Sequence, residues 1–306
     1  MRKNVRIVLQ SLGAVLLLWG LASCGGGGGG NNNSGPTTQQ GVFLDSVVEG
    51  LQYTSVSLTG TTDASGIFSY EVGSTVTFKV GDIVIGTAPG ASIITPVSLV
   101  PGAVDETDPT VTNIVRFLLT IDDNADPSDG IEVTSAMQTA AAGASVDFAS
   151  STFDLDTAAT DALAAITNAS PNGGGLRPFV SSGFAQTHFS DTLLSTMAGI
   201  YNGTFSGDDV GTWTMLVADD GTITGSGCST VATGDFTLSG TVTSDGAGAV
   251  GTGGSGGNVD FVGTFSLTGS LSGTWIDNSN SDTGTFSGNR ADSAVGGSGS
   301  CPGSGG

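Results

Sequence analysis

The sequence predicts a mainly β protein with a helical middle segment, an α+β multidomain chain with a small N-terminal β-sandwich and a C-terminal up-and-down β-barrel or β-meander. Three observations predict it. Short runs of β-branched and aromatic residues, ended by Gly or Asp, fill residues 42–100 and return over 201–290. Between them, apolar residues fall at helical spacing. Over the last region a Gly-Thr-aromatic phrase recurs, as Gly203-Thr204-Phe205, Gly211-Thr212-Trp213, Gly263-Thr264-Phe265, Gly273-Thr274-Trp275 and Gly284-Thr285-Phe286.

At the N-terminus, Arg2, Lys3 and Arg6 precede an apolar run, Ile7 to Trp19, too short for a membrane span; residues 1–23 therefore read as a secretory signal. Leu21-Ala22-Ser23-Cys24 resembles the lipobox of bacterial lipoproteins. The resemblance implies cleavage before Cys24 and lipid on that cysteine; Gly25, rather than Asp, implies transport to the outer membrane of a Gram-negative envelope. An ordinary cleaved signal with a stray cysteine is the plainer alternative. Several acyl chains, at about 0.8 kcal/mol per buried CH₂, hold a protein durably where one does not. Residues 24–40 are Gly- and Asn-rich with nothing apolar to bury, a flexible tether of about 20–24 Å r.m.s. reach.

The 306-residue chain carries a net charge of −21, and loss of the signal leaves four basic residues against 28 acidic ones, a net of −24. The four are Lys79, Arg116, Arg177 and Arg290. Such a surface repels phosphate backbones and anionic head groups, which excludes nucleic acid as a partner. The partners expected are the membrane, through the N-terminal lipid, and an unspecified protein or glycan. The acidity suits divalent cations or salty water; mere solubility is the plainer account.

Residues 41–103 read as the β-sandwich-like domain, with strands at Val56-Ser57-Leu58, Phe68-Ser69-Tyr70, Val76 to Val80 and Ile83 to Ile85. The segment Gly60 to Tyr70 resembles the G-x-T-D-x-x-G-x-F-x-Y signature of carboxypeptidase-regulatory-like, prealbumin-type domains. That resemblance, over about a fifth of the chain, implies a tight turn shaped by Asp63 and Gly66, Phe68 and Tyr70 on one face, and a spacer rather than an activity.

Residues 104–200 form the helical region. Asp108 caps a helix with Pro109 at its first position and Val111, Ile114, Val115 and Leu118 along one stripe. Further helices are expected near 134–142, 156–167 and 184–199, the last with Phe189, Leu193, Met197 and Ile200 on one face. The order from Phe43-Leu44-Asp45-Ser46 through Asp122 to Ile131 resembles an N-terminal segment of proteobacterial surface lipoproteins and adhesins, which brings no activity with it.

Residues 201–291 read as the barrel-like domain, before a Gly/Ser-rich tail at 292–306. Phe236, Leu238, Gly240 and Val242 share one face against Thr237, Ser239, Thr241 and Thr243. Closing such a meander removes both exposed edges; an open two-layer sheet is the alternative. The Gly-Thr-Trp repeats resemble avidin and calycin barrels in pattern, not in any ligand-reading motif.

Few residues suggest chemistry. Asp122, Asn124, Asp126, Ser128 and Asp129 alternate oxygens as a Ca²⁺ loop does, and calcium is the one cofactor considered. Pro127 and Val133 depart from the EF-hand pattern, so a solvated acidic turn is the favoured alternative. His188, the single histidine, has Asp191 at i+3, yet no Gly-x-Ser-x-Gly elbow accompanies it. A helix-surface or junction histidine is expected there, and no catalytic residue is assigned. Gly251 to Gly256 matches G-x-G-x-x-G with no helix after it, so it carries no nucleotide reading. Cys228 and Cys301 can pair in an oxidising compartment. Trp213, Trp275, Phe205 and Phe265 either line a ligand-holding barrel or, as aromatics at period two more often do, fill its core. The function expected is a non-enzymatic structural, adhesive or binding role in a lipid-anchored envelope lipoprotein, calcium-stabilised if the acidic loop binds. A small-ligand carrier using the barrel interior stands second and a hydrolase third.

Overall fold

A computed structural model describes residues 37–231, 234–253 and 258–291. The signal, Cys24, most of the tether, Cys301 and the tail lie outside the described residues. In chain order the first unit runs β1 (Thr38–Phe43), β2 (Val48–Glu49), β3 (Gln52–Ser55), β4 (Leu58–Thr61), β5 (Ile67–Glu71), β6 (Thr75–Val80), β7 (Ile83–Pro89), β8 (Ile93–Ile94), α1 (Pro109–Ile121), β9 (Ile131–Glu132), α2 (Ser135–Ala140), α3 (Thr157–Asn168) and α4 (Ser182–Met197). Two small sheets, ordered β5-β1-β8 and β4-β3-β6-β7, are accompanied by a separate parallel β2–β9 pair, which ties the segment after α1 to the one before β3.

The turn before β5 forms as its residues require. Asp63 Oδ1 accepts from the amides of Ser65 and Ile67, both at 2.9 Å, and Gly66 takes φ +71°. Phe68 and Tyr70 are then buried together. Val56-Ser57, expected in a strand, is instead the turn joining β3 to β4. A two-residue hairpin needs positive φ, and Val56 takes +48° with its side chain in water. A β-branched residue in that role disguised the turn as a strand.

Helix α1 begins where the cap predicts: Asp108 Oδ1 accepts from Thr110 N at 2.8 Å and Val111 N at 3.2 Å. Every residue from Val111 to Ile121 is buried, beyond the single apolar stripe. Burial of the polar positions is tolerated because they are bonded: Asn113 Nδ2 donates to Phe148 O, and the Arg116 guanidinium donates to Val180 O and pairs with Asp154. One hydrophobic core runs from Phe43 to Leu193 and includes strands and helices alike.

Eight strands follow: β10 (Gly199–Gly207), β11 (Gly211–Val217), β12 (Thr222–Ser229), β13 (Gly234–Val242), β14 (Ala247–Gly253), β15 (Val259–Phe265), β16 (Ser270–Asp277) and β17 (Thr283–Arg290). Each pairs antiparallel with the next, and β17 pairs with β10, so the sheet closes into a barrel and the open-sheet alternative falls away. Inward positions such as Tyr201, Trp213, Ile223, Leu238, Val250 and Phe286 make the second core. Outward positions include exposed hydroxyls, such as Thr204, Thr212, Thr237, Ser239, Ser272 and Thr285, and the exposed apolar Leu216, Val262 and Ile276. Among the described residues no helix is long and apolar enough to cross a membrane.

The repeated glycines make room for rings. A Cβ on Gly248 would lie 2.5 Å from the Phe265 ring, one on Gly227 2.2 Å from Phe236, and one on Gly284 2.4 Å from Trp275. Each aromatic thus lies over a glycine of a neighbouring strand, which lets a narrow barrel hold large side chains.

Helix α4 stoppers one end. Met197 joins the barrel core, Tyr201 Oη donates to Met197 O at 2.8 Å, and Arg290 donates to the carbonyls of Thr196 and Ala198. Leu267 packs against both cores.

Candidate ligand cup at the barrel mouth

At the end opposite α4, described residues at the ends of β10, β12, β13, β14, β15 and β16 and beside them line a cavity of about 340 Å³. Four rings from four strands line it: Phe205, Phe236, Phe261 and Trp275. Phe205 meets Trp275 edge-on with centroids 6.0 Å apart, and Phe236 stacks on Phe261 at 6.4 Å and 18°. The Trp275 Nε1–H donates to Ser206 O at 3.2 Å.

Above the rings the lining turns acidic, with Asp208, Asp209, Asp235, Asp277 and Asp282. Local donors position Asp208, Asp209, Asp277 and Asp282. Asp208 accepts from Thr283 N at 2.9 Å, Asp209 from Ser229 Oγ at 2.7 Å, and Asp282 from Asn280 Nδ2 at 2.7 Å. Hydrogen bonds from the Ser279 hydroxyl and amide hold the Asp277 carboxyl below the usual carboxylate range. The sequence supplies no balancing cation: Arg290 is the only Lys, Arg or His from Tyr201 onward, and it sits at the stoppered end.

Of the four aromatics expected to line a ligand space, Phe205 and Trp275 line this cavity. Trp213 does not; it is 2% exposed, packs on Phe286 and over Gly203 and Gly288, and donates to Thr204 O. Phe265 lies towards the stoppered end, edge-on to Tyr201 at 5.2 Å. Sequence reasoning missed Phe236 and Phe261 as lining residues. Their inward-facing parity was legible, but only barrel closure brings β13, β15, β16 and β10 around one mouth. Cys228, near the end of β12, is buried and disulfide-bonded; Cys301, its expected partner, lies outside the described residues.

The acidic loop between α1 and β9 mostly satisfies itself. Asp126 Oδ1 accepts from Ser128 Oγ at 2.6 Å, Asn124 Oδ1 accepts from Asp126 N at 2.7 Å, and Asn124 Nδ2 donates to Asp129 at 3.1 Å. Asp122 is buried and accepts from Glu132 N at 3.0 Å, and burial raises its carboxyl. Among the described residues no three His, Cys, Asp or Glu are grouped to hold a metal.

His188 does not use Asp191, which is exposed. Its Nε2 lies 3.1 Å from Ser46 Oγ and 3.8 Å from Asp45 Oδ1, a meeting across 142 residues that no local pattern signals. Asp45 is fully buried with neither oxygen partnered among the described residues, and burial holds its carboxyl well above the usual range. Burial also lowers His188 to about 4. Ser46 sits at φ +55°. Asp45 and Ser46 meet the same ring nitrogen, whereas a nucleophile-activating relay places the acid on the opposite one. No family model and no curated protein matches the sequence, so the cup is read from its own chemistry.

Proposed function

We propose that this chain is a lipid-anchored, non-enzymatic binding protein of the bacterial envelope, whose ligand site is the cup at the open barrel mouth. The carrying observation is the 340 Å³ cavity, ring-floored and polar-rimmed, at the end of the barrel away from α4. Ligand pockets run from about 300 Å³ upward and combine apolar walls with a few placed polar groups. An eight-stranded barrel is wide enough for one small molecule. The first unit, with its single core, acts as a spacer between the anchor at Cys24 and the cup.

The test has two arms. Mature chain carrying Cys24→Ser is titrated with small aromatic and amphiphilic compounds while tryptophan emission and Tm are followed; saturable binding lost in Phe236→Ala supports the cup. Binding that survives Phe236→Ala, or no binding across the panel, overturns it in favour of a structural or adhesive role. Separately, the chain expressed with its signal should partition into detergent and Cys24→Ser should not; a Cys24→Ser protein that still partitions overturns the anchor.

A further inference from the structure

We infer that the cup takes an organic cation with a bulky, weakly hydrated ammonium head, such as a quaternary amine; this rests on the cup being a ligand site and names what fills it. Aromatic faces carry partial negative charge and attract cations held within about 6 Å of the ring. Here four rings share one cavity, and five carboxylates stand above them.

The balance of charge narrows the choice. No Lys, Arg or His lies between Tyr201 and Asn289 or after Arg290, so the chain has no side chain of its own to offset the rim. An anionic ligand would enter against the carboxylates of the rim. A hard metal ion wants six or more converging oxygens, but these carboxylates are spread over separate loops, already accept local hydrogen bonds, and stand over carbon. A compact primary ammonium holds its water tightly and gains little from a ring floor. A bulky quaternary head sheds water easily, meets ring faces with its methyl groups, and still feels the rim.

The experiment compares phenyltrimethylammonium with tert-butylbenzene, its neutral isostere, on mature Cys24→Ser chain, read by tryptophan emission and thermal shift. The ammonium should bind at least tenfold more tightly and weaken as salt rises from 0.05 to 0.5 M. The double variant Asp277→Asn, Asp282→Asn should bind it several-fold more weakly while keeping the parent's circular dichroism spectrum. Asp126→Asn, in the remote acidic turn, should bind as the parent does. Equal binding of both probes, or no loss in the rim variant, overturns the cation class while leaving the cup a ligand site. Failure of both probes to bind overturns the cup itself.

Discussion

Asp45 and His188 make opposite demands on pH. His188 is lowered to about 4 from 6.5, so between those values the unfolded chain binds a proton that the folded one refuses, and this group's contribution favours folding as pH rises. Asp45 is raised from 3.8, so above that value the folded chain keeps a proton that the unfolded one releases, and its contribution fades as pH rises. From about pH 4 upward, for as long as the buried Asp45 carboxyl keeps its proton and no further than 6.5, the two slopes oppose, each bounded at about 1.4 kcal/mol per pH unit. Urea unfolding across this window should therefore show His188→Gln tilting stability towards acid and Asp45→Asn tilting it towards neutral pH; parallel curves would refute the opposition. A second prediction concerns space. Gly248→Ala meets only the Phe265 ring at close range, so it should cost about 1–3 kcal/mol, and Phe265→Leu should recover part of that in a double-mutant cycle. Additive losses would mean the ring is not what the new methyl strikes.

At the scale of elements, what could be read from sequence divides by distance along the chain. The start of α1 was legible because its signals are local: Asp108, Pro109 and the amides they serve lie within four positions. Asp108→Ala should lower stability by about 0.5–2 kcal/mol in thermal unfolding, with no change in cup binding. The Asp63 turn was legible for the same reason, whereas Val56, a strand-favouring residue at φ +48°, misled. Cup residues were half legible, since parity says which way Phe236 and Phe261 point but not which strands become neighbours. The His188 cluster was illegible, because Leu44-Asp45-Ser46 holds no hint of a histidine arriving on α4. For β12, peptide mapping without reductant should join Cys228 to Cys301, and Cys228→Ser should cost about 2–4 kcal/mol. A free Cys301 thiol would exclude that pairing.

Over the whole molecule, the two cores meet at α4, whose Leu193 belongs to the first and Met197 to the second. Arg290 reaches from the last strand to the carbonyls ending that helix. Arg290→Gln should therefore lower Tm by several degrees while leaving the distant mouth able to bind; loss of binding with unchanged Tm would contradict this division. With Met197 seated in the lower opening, the cylinder is a blind vessel and not a conduit. A ligand held in the cup would enter and leave through the same doorway.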